Sequence, residues 1–291
     1  MLPGMRAKAR IVIVGAGKLG SALAVALWRA GYVIESVVVR PRSRSSKAAK
    51  ILARKVGAIA STSVPARKKA DLVWLCVPDS EIARASRALS EKGTWKGKVV
   101  LHSSGALNSD ELANLRAHGA FVASVHPLMT FVGRSNPSLS GVPFAVEGDA
   151  AAVRTGRRLV RDLGGYTYPI RKSEKAAYHA WATFASPLLT ALLATSERVA
   201  SIAGLSRAAS RRRVLPILLQ TLTNYANFGA PEAFSGPIIR GDVETVKRHL
   251  EILRKEPAAR EVYLALAQAA LLYLPGKNTS AMRKALPSAE D

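Results

Sequence analysis

Ile11-Val12-Ile13-Val14-Gly15-Ala16-Gly17-Lys18-Leu19-Gly20, continued through Ser21 to Ala30 and closed by Gly31, is the stretch that decides the fold. Four β-branched residues in a row read as a buried parallel strand. After the glycines, Leu19, Leu23, Ala26, Leu27 and Ala30 keep a helical period, and Gly31 stops the helix. A G-x-G-x-x-G between a strand and a helix has a physical use. Gly15 permits the tight turn, Gly17 lets the backbone approach a pyrophosphate, and Gly20 lets the helix lie close on the strand. The N–H groups of the first helical turn, at Lys18 and Leu19, then face the anion.

Working outward, Tyr32 to Val39 reads as the second strand, whose carboxyl end selects between nicotinamide cofactors. Glu35 stands near the spacing of an acid that grips a ribose, but Ser36 to Val39 continue the strand beyond it, which keeps Glu35 inside the sheet. The strand ends instead in Arg40-Pro41-Arg42-Ser43-Arg44-Ser45-Ser46-Lys47. Guanidinium groups and hydroxyls without a carboxylate suit a 2′-phosphate, so Arg40, Arg42 and Ser43 predict NADP rather than NAD.

Further strands are expected at Ala58 to Ser61, Asp71 to Pro78, Lys98 to Leu101, Phe121 to Val125, Pro143 to Glu147 and Tyr166 to Ile170. Helices alternate with most of them, and Asp79 or Ser80 can cap the helix that starts near Glu81. In an open α/β sheet ligands lie beyond the carboxyl ends of the strands, which places Val77 and Pro78 near the cofactor. Two later strands deliver polar groups to the same edge, Ser103 and Ser104 from one and His126 from the other. An imidazole can exchange a proton with an oxygen as hydride moves, and a serine hydroxyl can hold that oxygen.

From Lys172 to Tyr273 the pattern is helical. The first helix, Ser173 to Ala203, would be ~45 Å long and apolar on almost every face, so it has to be buried. Lys175 and His179 share one face of its opening turns, with Thr183 and Ser186 following. An ammonium and an imidazole in line could polarise a carbonyl. A second helix, Arg207 to Tyr225, contains Pro216, which should kink it. Asp242 can cap the helix Val243 to Leu253 or pair with Arg240, and a last helix spans Ala258 to Tyr273. Pro275 to Asp291 reads as a frayed tail.

The composition sets outer limits. In 291 residues, 48% hydrophobic and 22% charged, there is room for two domains, 1–171 and 172–291. Lone Cys76, inside an apolar run, argues against disulfides and a metal cluster and points to the cytosol. The amino terminus has no apolar core of a secretory signal, and no apolar run reaches the ~20 residues of a membrane span. A net charge of +23 would suit a nucleic-acid binder, but the basic residues are spread over both halves and aromatics are only 6%. The charge is read first as solvated basic faces, and a preference for anionic small molecules lies between that reading and nucleic-acid binding.

Gly15 to Gly20, His102-Ser103-Ser104-Gly105, His126-Pro127, Tyr178-His179-Ala180 and Ser235 to Asp242 together carry a resemblance. The chain resembles two-domain NADP oxidoreductases in which a Rossmann-like domain precedes an all-helical domain of unknown function. These are relatives of pyrroline-5-carboxylate reductase and the 6-phosphogluconate dehydrogenases. The resemblance implies a dimer formed through the helical domains and a small-molecule substrate that it does not name. Where that family has Asn late in the long helix, this chain has Ser186 followed by Pro187. Prephenate dehydrogenases look similar at Ser103 and His126, the latter falling where that family has its catalytic base.

The resulting expectation is an α/β fold, a Rossmann-type, mostly parallel sheet with a carboxyl-terminal all-helical domain. The activity expected of it is hydride transfer between NADP(H) and a C=O or C=N group. His126, Lys175, His179 and Ser103 are the candidate catalytic groups. Gly15, Gly17, Lys18, Leu19, Gly20, Arg40, Arg42, Ser43, Val77, Pro78 and Ser103 are the candidate cofactor contacts, with no metal. A nucleotide-sensing protein without catalysis, or an oxidoreductase that pairs NADP with a deazaflavin, would share the first of these features.

Overall fold

The computed structural model describes residues 8–41, 45–63, 70–91, 93–133 and 137–286. Arg42 and Ser43 lie outside the described residues. The chain divides into two compact units, one up to Thr183 and one from Phe184 on. The first therefore includes the opening turns of the long helical segment.

In the first unit the glycine motif joins β1 (Arg10–Val14) to α1 (Lys18–Arg29). There follow β2 (Val33–Val38), α2 (Ser46–Lys55), β3 (Ile59–Ser61), β4 (Leu72–Leu75) and α3 (Asp79–Ser90). After them come β5 (Val99–His102), α4 (Ala113–Ala117), β6 (Phe121–Pro127), β7 (Pro143–Gly148), α5 (Ala150–Asp162), β8 (Tyr166–Pro169) and α6 (Lys175–Thr183). The eight strands form one sheet in the order β3-β2-β1-β4-β5-β6-β7-β8. All neighbours are parallel except β6 and β7. Chain direction reverses its path across the sheet between β1 and β4, the switch point at which such sheets hold ligands.

The central strands are buried on both faces, which is why they read as unbroken apolar runs. Ile11, Val12, Ile13, Trp74, Leu75, Val100 and Leu101 are all fully buried. Glu35 sits within β2 and pairs with Arg10, as its place in the strand required. Asp79 and Ser80 do not cap α3. Pro78 occupies the cap position with no side-chain bond, and the acids Asp79 and Glu81 fall in the first turn, where their charge is stabilised by the positive end of the helix dipole. Asn108 does cap the turn after β5, accepting from Asp110 N at 2.9 Å. Asp149 ties β6 to α4: it accepts from Val122 N at 2.8 Å and from Arg116 Nε at 3.1 Å.

The second unit begins with a π-helical turn, Phe184–Leu188, followed by α7 (Leu189–Ile202) and α8 (Arg207–Ala233). Pro187 has no N–H to give the helical ladder, and the widened turn takes up the missing bond. In α8 the break comes not at Pro216 but at Gly229, whose φ of 80° leaves the helical region. Short α9 (Pro237–Arg240), α10 (Val243–Ile252) and α11 (Pro257–Tyr273) follow. Asp242 makes no cap bond; its carboxylate accepts from Arg240 Nε at 2.9 Å instead. The expected frayed tail contains α12 (Thr279–Ala285), because Met282 and Leu286, four apart, bury themselves against Val246, Leu250 and Leu271. By contrast, α7 has no buried residue and α8 buries only Ser210. Among the described residues no single helix is long and apolar enough to cross a membrane.

Candidate functional site

The glycine loop divides its three glycines by what surrounds each. Gly15 has φ 108° and gives its N–H to Val38 O at 2.8 Å, and a Cβ there would lie 2.3 Å from the Cys76 carbonyl oxygen. At Gly20 a Cβ would fall 2.0 Å from Gly15 O, so the turn and the helix touch backbone to backbone. Gly17 differs: no atom lies within 4 Å of where its Cβ would be. Nothing inside the protein requires glycine there, whereas a group seated against the loop would. Gly17 is also the extended cap of α1, which has no acid in its first turn. The amide groups of Lys18 and Leu19 thus begin a helix end that favours an anion. Exposed Lys18 adds its charge, while the Leu19 side chain packs on the core.

Beside this loop is a cleft of about 360 Å³ lined by Gly15, Gly17, Arg40, Ser45, Val77, Pro78, Glu81 and Arg84, among others. It lies over the carboxyl ends of β1, β2 and β4. Apolar walls with a few charged groups at one end fit a nucleotide. Glu81 accepts from Arg40 Nη1 at 3.3 Å and is also paired with Arg84. Sequence reasoning missed Arg84 and Glu81, although Glu81-x-x-Arg84 is the spacing that puts two charges on one helix face.

Ser103 is absent from the cleft lining. Its hydroxyl turns into the core, where it accepts from Trp74 Nε1 at 2.7 Å, and it is 7% exposed. Burial pushes the pKa of the Cys76 thiol up to about 12.

A second group of side chains gathers at the carboxyl ends of β5 and β6. Gly105 packs against two imidazoles: a Cβ there would meet His179 Cδ2 at 2.6 Å and His126 Nε2 at 2.8 Å. The two rings are 6.3 Å apart between centroids. His126 Nδ1 shares a hydrogen bond of 2.8 Å with the Tyr178 hydroxyl, and the Tyr178 ring lies edge to face with Tyr168 at 6.3 Å between centroids. Lys175 is 1% exposed, and its Nζ donates to Ser124 Oγ at 2.6 Å and to Ser104 O at 2.9 Å. The ammonium is therefore a buried clamp on the loop that presents Gly105 rather than an open cation. Thr183, expected beside it, bonds back to the His179 carbonyl at 2.8 Å.

Burial acts on two facing groups here, His126 and Lys175. Burial, then the Lys175 charge, then His179 lower the pKa of His126 to about 4. Burial lowers Lys175 itself to about 8, against the opposing pull of Glu147 and Asp79. Glu147 is held by Ser109, through N at 2.7 Å and Oγ at 2.8 Å. His102, fully buried, accepts from Ser104 N at Nδ1 and meets Asn108 O at Nε2, and burial lowers its pKa to about 3. That pairing fixes it as a neutral structural group. Tyr178 and Tyr168 were missed as site residues, though Lys175, Tyr178 and His179 stand at i, i+3 and i+4 on one helix face.

Family comparison matches residues 4–127 to the Rossmann-like domain and residues 142–270 to the domain of unknown function DUF2520. No curated protein sequence matches the chain. Among solved structures, the chain is similar to a Bacteroides fragilis protein classed provisionally as an NADP oxidoreductase, with TM-score 0.76 and 23% identity over 90% of this chain and 97% of that one. It is similar to the reductive aminase of Aspergillus terreus solved with NADPH and ethyl-5-oxohexanoate, with TM-score 0.65 and 17% identity over 95% and 99% of the two chains. A Plasmodium falciparum pyrroline carboxylate reductase with NADP bound gives TM-score 0.56 and 15% identity over 91% and 100%. At these identities the likeness is one of fold. The chain is thus built of a Rossmann-like domain followed by a DUF2520 domain.

Proposed function

We propose that this protein is an NADP(H)-dependent oxidoreductase acting on a C=N or C=O group of a small, anionic metabolite. The observation that carries the reading is Gly17, a glycine with open space where its side chain would be, at the head of a helix and beside the cleft that holds Arg40. A bound nicotinamide cofactor supplies or takes up the hydride. The first-turn amides of α1 would hold its pyrophosphate, Arg40 its 2′-phosphate, and Val77 and Pro78 would pack on it. His126 would give or take the proton at the reacting oxygen or nitrogen. As a neutral imidazole it can take a proton at its bare ring nitrogen, and the imidazolium so formed can return it. Lys175 would keep Ser104 and Gly105 in register with it, and its charge favours an anionic substrate. The fold-mates named as a reductive aminase and a pyrroline carboxylate reductase put C=N ahead of C=O.

The test is a titration of the native chain and of Arg40→Asp with NADPH and NADH, followed by nicotinamide fluorescence. NADPH is expected to bind the native chain more tightly, and the substitution to abolish the preference. Failure of both nucleotides to bind would end the reading.

The assembly proposed with this function is a homodimer through the helical unit. Its support is the apolar surface of α8, where Ile217, Leu219, Tyr225 and Phe228 are 65%, 56%, 60% and 62% exposed. A surface of this kind calls for a covering partner. Light scattering is expected to give twice the 31.0 kDa chain mass, and Leu219→Glu to shift it toward the monomer.

A further inference from the structure

The cleft beside the glycine loop holds an anion of the protein's own. Arg40 follows the end of β2, and Arg84 stands one turn along α3 from Glu81, on the same helix face. Glu81 Oε1 accepts from Arg40 Nη1 at 3.3 Å, while Oε2 takes the Arg84 guanidinium. One carboxylate thus ties two separate elements together across the cleft. Among the described residues these three are the only charged groups that line it. Both guanidinium groups are exposed, so water weakens each pair and an incoming anion can reach them. Ser45, at the head of α2, lines the same cleft and makes no cap bond with its hydroxyl.

The charges decide what this arrangement can accept. Two guanidinium groups and one carboxylate leave a single positive charge. A phosphate monoester carries about −1.5 to −2 at pH 7 and offers three acceptor oxygens, which is more than a carboxylate offers the same donors. With Glu81 turned aside, the two arginines and the ester come close to neutrality. A ribose hydroxyl has no charge with which to open the pairs. We propose that Glu81 is a built-in stand-in for the 2′-phosphate of NADP, and that Arg84 joins Arg40 in receiving the phosphate when Glu81 gives way. In the empty cleft the carboxylate holds two like charges together, and when the cofactor arrives it competes with it. Both Glu81 oxygens are engaged by guanidinium groups, which leaves them poorly placed to grip a ribose as the acid of an NAD site does. Arg84 is then a specificity-determining residue, and Glu81 tempers the affinity that the arginines confer.

This role rests on the NADP reading of the cleft, so the probes are chosen to separate the two. Adenosine 2′,5′-bisphosphate and adenosine 5′-monophosphate differ only in the 2′-phosphate, and calorimetry reads their binding without nicotinamide or turnover. The native chain is expected to bind the bisphosphate more tightly. Glu81→Gln removes the charge and keeps the shape, and it should tighten the bisphosphate by about threefold to tenfold while leaving the monophosphate little changed. Arg84→Gln should weaken the bisphosphate by about tenfold or more, again with little effect on the monophosphate. NADPH and NADH should follow the same pattern in fluorescence titrations.

Weaker bisphosphate binding in Glu81→Gln would mean that the carboxylate orients the arginines for the ligand, and weaker monophosphate binding that it grips the ribose. Either result overturns the stand-in. Native bisphosphate affinity in Arg84→Gln overturns the part given to the second arginine. A native preference for the bisphosphate that both variants keep unaltered overturns the whole inference and leaves the NADP reading in place. A native chain that does not tell the two probes apart removes the 2′-phosphate site, and the NADP reading falls with it.

Discussion

Gly17→Ala is expected to keep the melting temperature of the native chain and to lose NADPH affinity by about tenfold or more, the equivalent of ~1.4 kcal/mol. Gly20→Ala should behave in the opposite order, destabilising the fold by about 3 kcal/mol before any ligand is added. The contrast comes from surroundings. A methyl group at residue 20 would meet the Gly15 carbonyl oxygen at 2.0 Å and Cys76 Cβ at 3.1 Å, and the backbone oxygen cannot rotate away as a side chain would. Alanine's better helix propensity, worth about 1 kcal/mol, works against this cost without cancelling it. At residue 17 the backbone is extended, at φ −71° and ψ −174°, a conformation open to alanine, and its methyl group would meet nothing of the protein. It would occupy the face on which a pyrophosphate must lie. Thermal melts and fluorescence titrations of the two variants separate the effects. Native NADPH affinity in Gly17→Ala would mean that the loop is not the cofactor seat.

That pair also shows what a sequence can carry. Both glycines belong to one short motif whose strand, turn and helix are local, so their separate duties follow from spacing alone. The mostly parallel sheet was equally accessible, because parallel strands buried on both faces leave unbroken apolar runs such as Leu72 to Leu75. Contacts between distant segments were not. Ser103 reads as an edge hydroxyl until Trp74, from the neighbouring strand, is seen to donate to it. Lys175 reads as an ammonium free to polarise a carbonyl until Ser124 and the Ser104 carbonyl are brought to its Nζ. His126 on β6 and Tyr178 on α6 meet at 2.8 Å, and no period or motif links two residues so far apart in the chain. In α12 the signal was present, as Met282 and Leu286 at helical spacing, but it was outweighed by the polar residues around it.

Acidification is expected to unfold the cofactor-free protein well above the range in which surface carboxylates titrate. His102 has a pKa of about 3 in the fold against 6.5 in the open chain, and His126 about 4. Between those values the unfolded chain binds the extra protons, so stability rises with pH across the window, is complete above pH 6.5 and is lost as pH falls toward 3. At 1.36 kcal/mol for each pH unit, His102 alone is worth about 5 kcal/mol over that interval, a large share of the stability of an ordinary domain. Its ring is fully buried, with Nδ1 accepting from Ser104 N at 3.1 Å, and charging it would place a donor against a donor. His102→Asn can keep the acceptor at that position without a group that titrates, so its denaturation midpoint should be flatter between pH 4 and 6.5 than that of the native chain. Lys175 adds a limb on the other side of neutrality. Its pKa is lowered from 10.5 to about 8, so the fold gains stability as pH rises from 8 toward 10.5 and the ammonium is discharged. Tyr32 opposes the gain above pH 10, where the open chain ionises and the fold, with Tyr32 near 12, does not. Urea melts from pH 4 to 10 should therefore show an acid limb that His102→Asn reduces and an alkaline rise that Lys175→Met removes. A native profile flat from pH 4 to 6.5 would mean that these imidazoles are reached by water, and that the neutral site on which proton exchange at His126 depends is not maintained.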